Sequence, residues 1–371
     1  MPNPLKELVP ALKVLSENLD ILPATGQAIE DPQHPDQDEI EDKILAQGEN
    51  IFDIILETPN RELYRPTPPL FRKEKQLFYY FQDGSRRSYF IGTAIEGDRS
   101  TPIQISQIGA AVIRRESDGS IRTVISKNKV LLLIAKNQIS DEVWNQLKLV
   151  ESVSGVSNFE IVDISEEDVL TGSTSSTKDI RIRASDKAHS MMRRLEVDVT
   201  SEVQRKEGEW LVIDGFLRFE FEKMIRQPQI IAVAKSFSKE PIFHLGRGPG
   251  RKKLNIMSLL AGLPAEHRTC VFSAQSGAVA FWYVRLRQQG QVDYPLMGVV
   301  KVELPNPSGE AVDTELVDLI SRALVAEKNV TPYGKDRRWH AHLYPIYIAE
   351  QVVKNSFLST DIIRHSIKWG G

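Results

Sequence analysis

Apolar positions in this chain follow two spacings, one near its start and another through most of its length. Leu5, Leu8, Leu12, Leu15 and Leu19 recur at helical intervals, so residues 5 to 22 predict an amphipathic helix, and Ile44 to Leu56 resume that pattern. Between them runs the acidic, proline-punctuated stretch Glu30 to Asp42. After them comes a connector, Pro59 to Pro69, whose end Arg65-Pro-Thr-Pro-Pro-Leu70 is rich in proline. Charge runs and breakers of this kind predict an N-terminal helical arm with an acidic, proline-rich linker over residues 1–70, outside a main domain of residues 71–371. Such an arm is a candidate surface for a partner. A helical extension packed on the core is the plainer reading of the same residues.

From Gln76 the texture becomes that of strands. The aromatic run Gln76 to Gln82 stops at Asp83-Gly84, a strong turn signal, and Arg87 to Ile95, Ile103 to Arg115 and Arg122 to Ile134 follow as antiparallel neighbours. Asp141 to Val153 predicts a helix, Phe159 to Ile164 a short strand, Thr171 to Thr177 a polar loop, and Ile180 to Lys206 a long helix. Two continuous apolar runs, Trp210 to Ile213 closing at Asp214-Gly215 and Gln229 to Lys235, predict buried strands around a short helix at Phe216 to Ile225. Strands at Thr269 to Ser273, Ala278 to Arg287 and Leu296 to Leu304 come next, then helices at Thr314 to Lys328 and Tyr344 to Ser356. Strands first and strand–helix–strand units afterwards predict an α/β fold, a mixed β-sheet flanked by helices. No internal repeat is visible.

Composition narrows the class. The chain has 371 residues, 41% hydrophobic and 26% charged, with a formal net charge of -3. That balance excludes a histone-like basic protein and a strongly acidic disordered one. The single cysteine, Cys270, excludes a disulfide framework and a multi-cysteine metal site. Cys270 lies in an apolar run and reads as a buried structural thiol. The longest aliphatic run, Val130 to Ala135, is far shorter than the roughly 18 residues that span a bilayer. The first residues lack the apolar core of a secretory signal. A cytoplasmic protein without membrane contact is the expectation.

Three carboxylates stand out by position. Asp83 and Asp214 each end a predicted buried strand and each precede a glycine; taken singly, either reads as a turn aspartate bonding its own backbone. Two such units in one chain suggest a shared site. Glu196 lies on the long helix, at the edge of the face carrying Leu195 and Val199, unless it is a solvated charge paired with Arg193 or Lys187. Clustered carboxylates suit hard divalent cations, which prefer oxygen ligands and leave positions for water and phosphate. A pair of such ions supports phosphodiester hydrolysis by activating water and stabilising the leaving oxygen.

The ordered set formed by Asp83-Gly84-Ser85, Leu195-Glu196, Ile213-Asp-Gly-Phe-Leu217, Ala232-Val-Ala-Lys235, Trp282-Tyr-Val-Arg-Leu286, Lys301-Val-Glu-Leu-Pro305 and Tyr344-Pro345 resembles the NurA nucleases over about residues 77–349. The resemblance implies an RNase H-like domain, Mn2+-dependent (or Mg2+-dependent) single-strand endonuclease and 5′→3′ exonuclease action on DNA, and a homodimer. It also implies a hexameric HerA-type ATPase translocase as partner in DNA end resection and double-strand break repair. It makes Asp83, Glu196 and Asp214 the metal-binding acids, Lys235 the lysine after the following strand, and Tyr283 a tyrosine near the site. The family also has a histidine near the C-terminal helix. His340 and His342 flank that position here, with His342 favoured, while Glu350 stands inside the helix where a histidine would also fit.

Remaining candidates are cations and aromatics. Arg247, Arg251, Lys252 and Lys253 fall within seven residues of a glycine-rich segment that lacks any nucleotide-loop order, and read as a phosphate-contacting loop. Lys335, Arg337 and Arg338 form a second cluster just before the histidines. Trp282 and Trp339 are candidates for stacking on unpaired bases, although burial is the commoner fate of tryptophan. Two other functions use the same residues: a catalytically silent nucleic-acid-binding subunit of a translocase complex, and a defence nuclease acting on foreign DNA.

Overall fold

A computed structural model describes residues 5–24, 30–31, 51–52, 56–59, 62–71, 74, 76–154, 158–165, 180–217, 228–245, 252–274, 277–288, 294–327, 341, 343–367 and 369. The fold is mixed α/β. Its strands are β1 (Asp20–Pro23), β2 (Tyr64–Pro66), β3 (Phe78–Glu96), β4 (Arg99–Arg115), β5 (Ile121–Ile134), β6 (Phe159–Asp163), β7 (Trp210–Asp214), β8 (Ile230–Ala234), β9 (His267–Thr269), β10 (Val279–Arg285) and β11 (Val299–Pro305). The helices that cover them are α1 (Leu5–Asn18), α2 (Asp141–Ser154), α3 (Ile180–Glu202), α4 (Thr314–Glu327) and α5 (Tyr344–Ser356). Along the main sheet the order is β2-β9-β10-β11-β8-β7-β3-β4-β5-β6. β3, β4 and β5 form an antiparallel meander, while β7 lies parallel to β3 on its other side and β8 parallel to β7.

Strand alternation divides the apolar residues between two faces. Tyr80, Val112, Leu211, Ile213 and Ala232 pack against Ala188, Met192, Leu195 and Val199 of α3. Phe81, Ile113, Val212, Ile231 and Val233 pack with Val317, Ile320 and Leu324 of α4 and Ile346 and Ala349 of α5. Among the described residues no helix is long and apolar enough to cross a membrane.

Two expectations change. The Asp83-Gly84 pair is no turn: β3 runs through it unbroken, and the chain reverses only at Gly97, whose φ is +64°. The N-terminal segment is also no detached arm. Leu8, Ala11, Leu12 and Leu15 of α1 are buried with Tyr89, Ile91, Ile105 and Trp144, and β1 pairs with β3. Farther on, β2 pairs with β9, and Arg268 bonds Glu57 and Asp318, with 2.7 Å from Arg268 Nε to Asp318 Oδ1. Arg65 joins the same Asp318 at 2.8 Å. The leucine stripe of α1 thus joins a core shared with α2, β3 and β4, and an ion-pair network ties Glu57 and Arg65 to the sheet. Of the second expected helix, Ile51–Phe52 are a short strand, and residues 44–50 lie outside the described residues.

Leu12 is 2% exposed. Leu12→Ala is expected to cost about 2–5 kcal/mol of unfolding free energy in urea titration, as a core leucine does. An unchanged midpoint would show that α1 is dispensable to the core.

Candidate metal centre

Register brings the two aspartates together. Val212 pairs with Phe81 and Ile213 with Gln82, so the next step of the same parallel ladder sets Asp214 beside Asp83. Both share the face of Phe81 and Val212, looking toward α5. Lys235, just past β8, closes on Asp214 with 2.8 Å between Nζ and Oδ2. Asp83 is 7% exposed, and its Oδ1 accepts the N–H of Gly84 at 2.8 Å. Burial pushes the Asp83 carboxyl well above the usual carboxylate range; the Asp214 charge adds to this, Lys235 opposes it, and Glu350 and Glu196 contribute smaller upward effects. Glu350, on α5 and ion-paired with Lys354 at 2.6 Å, is therefore a further carboxylate whose charge reaches Asp83.

Glu196 arrives from the other side. A Cβ added at Gly84 would lie 2.4 Å from Glu196 Oε1, and one added at Gly215 3.3 Å from the Arg193 guanidinium. Arg193 Nη1 and Glu196 Oε2 are 2.9 Å apart. The two Asp-Gly units lie side by side, acids toward α5 and glycines toward α3, where Arg193 and Glu196 sit over the bare backbone. This close approach, together with the left-handed φ of +98° at Gly215, is what the glycines supply. Asp83, Asp214 and Lys235 thus gather on one face of the sheet near the end of β7, while Glu196 stands on the opposite face, so the three expected acids do not share one face.

Tyr283 is not among them. It stands on β10, paired with Lys301 of β11, which in turn pairs with Ala234 of β8. It is 1% exposed among Phe237, Phe243 and Phe281, with centroids 5.1 to 6.3 Å away. Four strand steps separate β10 from β3, roughly 19 Å at the usual spacing. Trp282 is buried in the core, its Nε1 donating to Ser321 Oγ at 2.9 Å, so it presents no stacking surface. Cys270 is buried too, and its thiol is pushed up to about 12, mainly by desolvation. Lys253 is exposed on a short strand, Lys252–Asn255, that Lys252 opens. Arg247, Arg251, Lys335, Arg337, Arg338, Trp339, His340 and His342 lie outside the described residues.

Sequence reasoning passed over Lys301 and Glu303 as site residues. They are 5% and 2% exposed and 3.0 Å apart, and Glu303 Oε2 accepts the N–H of Leu217 at 2.8 Å, three residues past Asp214. Their signal was two charges at alternate positions of a valine-rich strand, which reads as one wet face.

Among the described residues no three His, Cys, Asp or Glu side chains are gathered closely enough to hold an ion by themselves. A hard divalent cation nevertheless fits the donors: Mg2+-type ions bind through one or two carboxylates, with water and substrate phosphate completing the shell. Asp214 Oδ1 is buried with no hydrogen-bond partner among the described residues, a lone pair that a cation beside Asp83 would take up. No family model matches the chain, and no curated protein matches it.

The raised Asp83 value fixes a sign. A carboxyl held above its unfolded value stabilises the fold below the ordinary carboxylate range, and that stability is lost as pH rises through the folded value. Asp83→Asn, which mimics the neutral acid, is therefore expected to melt at least about 2 °C above the parent at about pH 8 in EDTA. The gap should close toward about pH 4. Melting curves that stay parallel across this range would refute the buried-charge account.

Proposed function

We propose that the protein is a divalent-metal-dependent deoxyribonuclease of the NurA type, with an RNase H-like sheet and an active centre at Asp83 and Asp214. The observation that carries this reading is the placement of a buried carboxylate, Asp83, beside a half-buried one, Asp214, on parallel strands, the latter with an unfilled lone pair. Such a pair is costly to desolvate and repels itself, so it is worth keeping where a cation is bound. The mixed sheet, antiparallel on one side of β3 and parallel on the other, is compatible with the fold that the resemblance implies.

In this reading Asp83 and Asp214 hold Mn2+ or Mg2+, with Glu350 and Glu196 tuning the charge around them. The ion, when bound, supplies Lewis-acid polarisation of the phosphate and activation of water. The chain's own residues do the rest. Lys235 neutralises Asp214 and faces the phosphate that a DNA strand would bring. Gly84 and Gly215 let Arg193 and Glu196 support both strands from behind. Lys253, with Arg247, Arg251, Lys252, Arg337 and Arg338, would hold the DNA backbone. Single-strand endonuclease and 5′→3′ exonuclease action in end resection, a homodimer, a HerA-type translocase partner and a cytoplasmic setting belong to the same proposal, as does His342 as a further ligand.

One observation favours a catalytically silent DNA-binding subunit instead: Lys235 and Arg193 already neutralise Asp214 and Glu196. Mn2+ separates the two. For a nuclease, Mn2+ raises the melting temperature, and Asp83→Ala or Asp214→Ala removes that shift. Each variant should also lose about a thousandfold or more of Mn2+-dependent cleavage of single-stranded DNA, the equivalent of several kcal/mol of charge stabilisation. Undiminished cleavage by both folded variants would sink the assignment, and absence of any Mn2+ shift in the parent would select the silent subunit.

A further inference from the structure

The segment that follows Asp214 is held from behind by a buried charge pair on a strand that does not touch β7. Gly215 N–H donates to Val233 O at 3.1 Å. The Phe216 ring lies 5.1 Å from Lys301 Nζ, which is also 4.8 Å from the Phe281 ring. Leu217 N–H donates to Glu303 Oε2, whose other oxygen takes Lys301. Register explains the reach. Gln82, Ile213, Ala232, Glu303 and Phe281 form one row across the sheet, facing α3. The small Ala232 leaves room for Glu303 to lean across β8 to the chain leaving β7.

A buried ion pair is weak support for stability, since an apolar pair of similar volume often serves as well. Cations stacked on aromatic rings add modestly to stability, which does not explain why a glutamate is needed. What Glu303 uniquely supplies is an acceptor for the backbone three residues past Asp214. Asp214 and Leu217 belong to one short segment with a left-handed hinge at Gly215, so fixing Leu217 limits how far Asp214 can rotate away from Asp83.

We propose that Glu303, oriented by Lys301, is a positioning residue that straps the Asp214–Leu217 segment and so sets the direction of the Asp214 carboxylate; the proposal rests on the nuclease reading of that carboxylate. Two double variants of the full chain isolate the acceptor. Lys301→Met with Glu303→Gln removes both charges and keeps an oxygen for Leu217 N–H. Lys301→Met with Glu303→Leu removes that oxygen as well. Both are expected to melt within a few degrees of the parent in EDTA. The leucine variant should raise the Mn2+ concentration for half-maximal thermal stabilisation about 10-fold or more, the usual effect of losing an outer-shell partner, while the glutamine variant stays within about twofold. Backbone hydrogen exchange over residues 215–217, measured in EDTA, should accelerate in the leucine variant alone. Equal exchange and equal Mn2+ response in the two variants would overturn the strap. If the parent itself shows no Mn2+ response, the nuclease reading fails while the exchange comparison still decides whether Glu303 holds the segment.

Discussion

Two carboxylates on adjacent parallel strands, one buried and one half-buried, are the constraint around which this molecule is arranged. Asp83 and Asp214 occupy adjacent positions on parallel strands because the apolar residues before them, Phe78 to Phe81 and Trp210 to Ile213, lock the register. A slip of β7 by one residue would turn Asp214 into the α3 face, among Met192 and Leu195, and part it from Asp83 and Lys235. Burial and mutual repulsion push the Asp83 carboxyl upward, and Lys235 limits that cost from the end of the third parallel strand. The lysine is within reach only because β8 lies next to β7 and ends one residue before it.

The glycines make the other half of the arrangement. Asp-Gly is a strong turn signal, and at Asp83 it misleads. A glycine permits a tight reversal and also permits something to press on the backbone, and the local sequence is the same in both cases. The difference lies in Glu196, more than a hundred residues away, whose carboxylate fills the space over Gly84. What is legible in the sequence is what depends on neighbours along the chain. The continuous apolar runs of β7 and β8 and the periodicity of α5 are read to within a residue or two, as is the acid that ends β7, Asp214. The α1 stripe was legible as a helix, and packing on the core was the plainer of its two readings, although Leu8 and Leu12 look alike whether they meet a partner or the rest of the chain. Lys301 and Glu303 escaped because alternation in Val299-Val-Lys-Val-Glu-Leu reports that two faces differ, not that the polar face is wet.

Near-neutral net charge also takes on a clearer meaning. The acidic N-terminal stretch and the cationic segments around Arg247 to Lys253 and Lys335 to Arg338 suggest opposed surface patches. Much of the compensation is instead internal: Lys235 with Asp214, Arg193 with Glu196, Lys301 with Glu303, and Arg268 with Glu57 and Asp318. These cations are committed to protein carboxylates. In the proposed reading, affinity for DNA then comes chiefly from the remaining lysines and arginines, and its salt dependence would count mainly those.

Buried pairs of this kind add little stability over apolar replacements, so their placement calls for another reason. The Arg268 network joins three segments distant in sequence and accounts for itself as a fastener of residues 57 to 66. The others stand around the end of β7, each fixing a different atom: Lys235 an oxygen of Asp214, Arg193 an oxygen of Glu196, and Glu303 the amide of Leu217. Three separate elements, β8, α3 and β11, thus converge on one five-residue strand and the turn after it. Lys235 holds one oxygen of Asp214 directly and Glu303 holds the backbone after it, while the other oxygen, Oδ1, is buried with no hydrogen-bond partner among the described residues. In the proposed reading, a cation would meet a pair already assembled, because the cost of assembling it was met when the sheet folded.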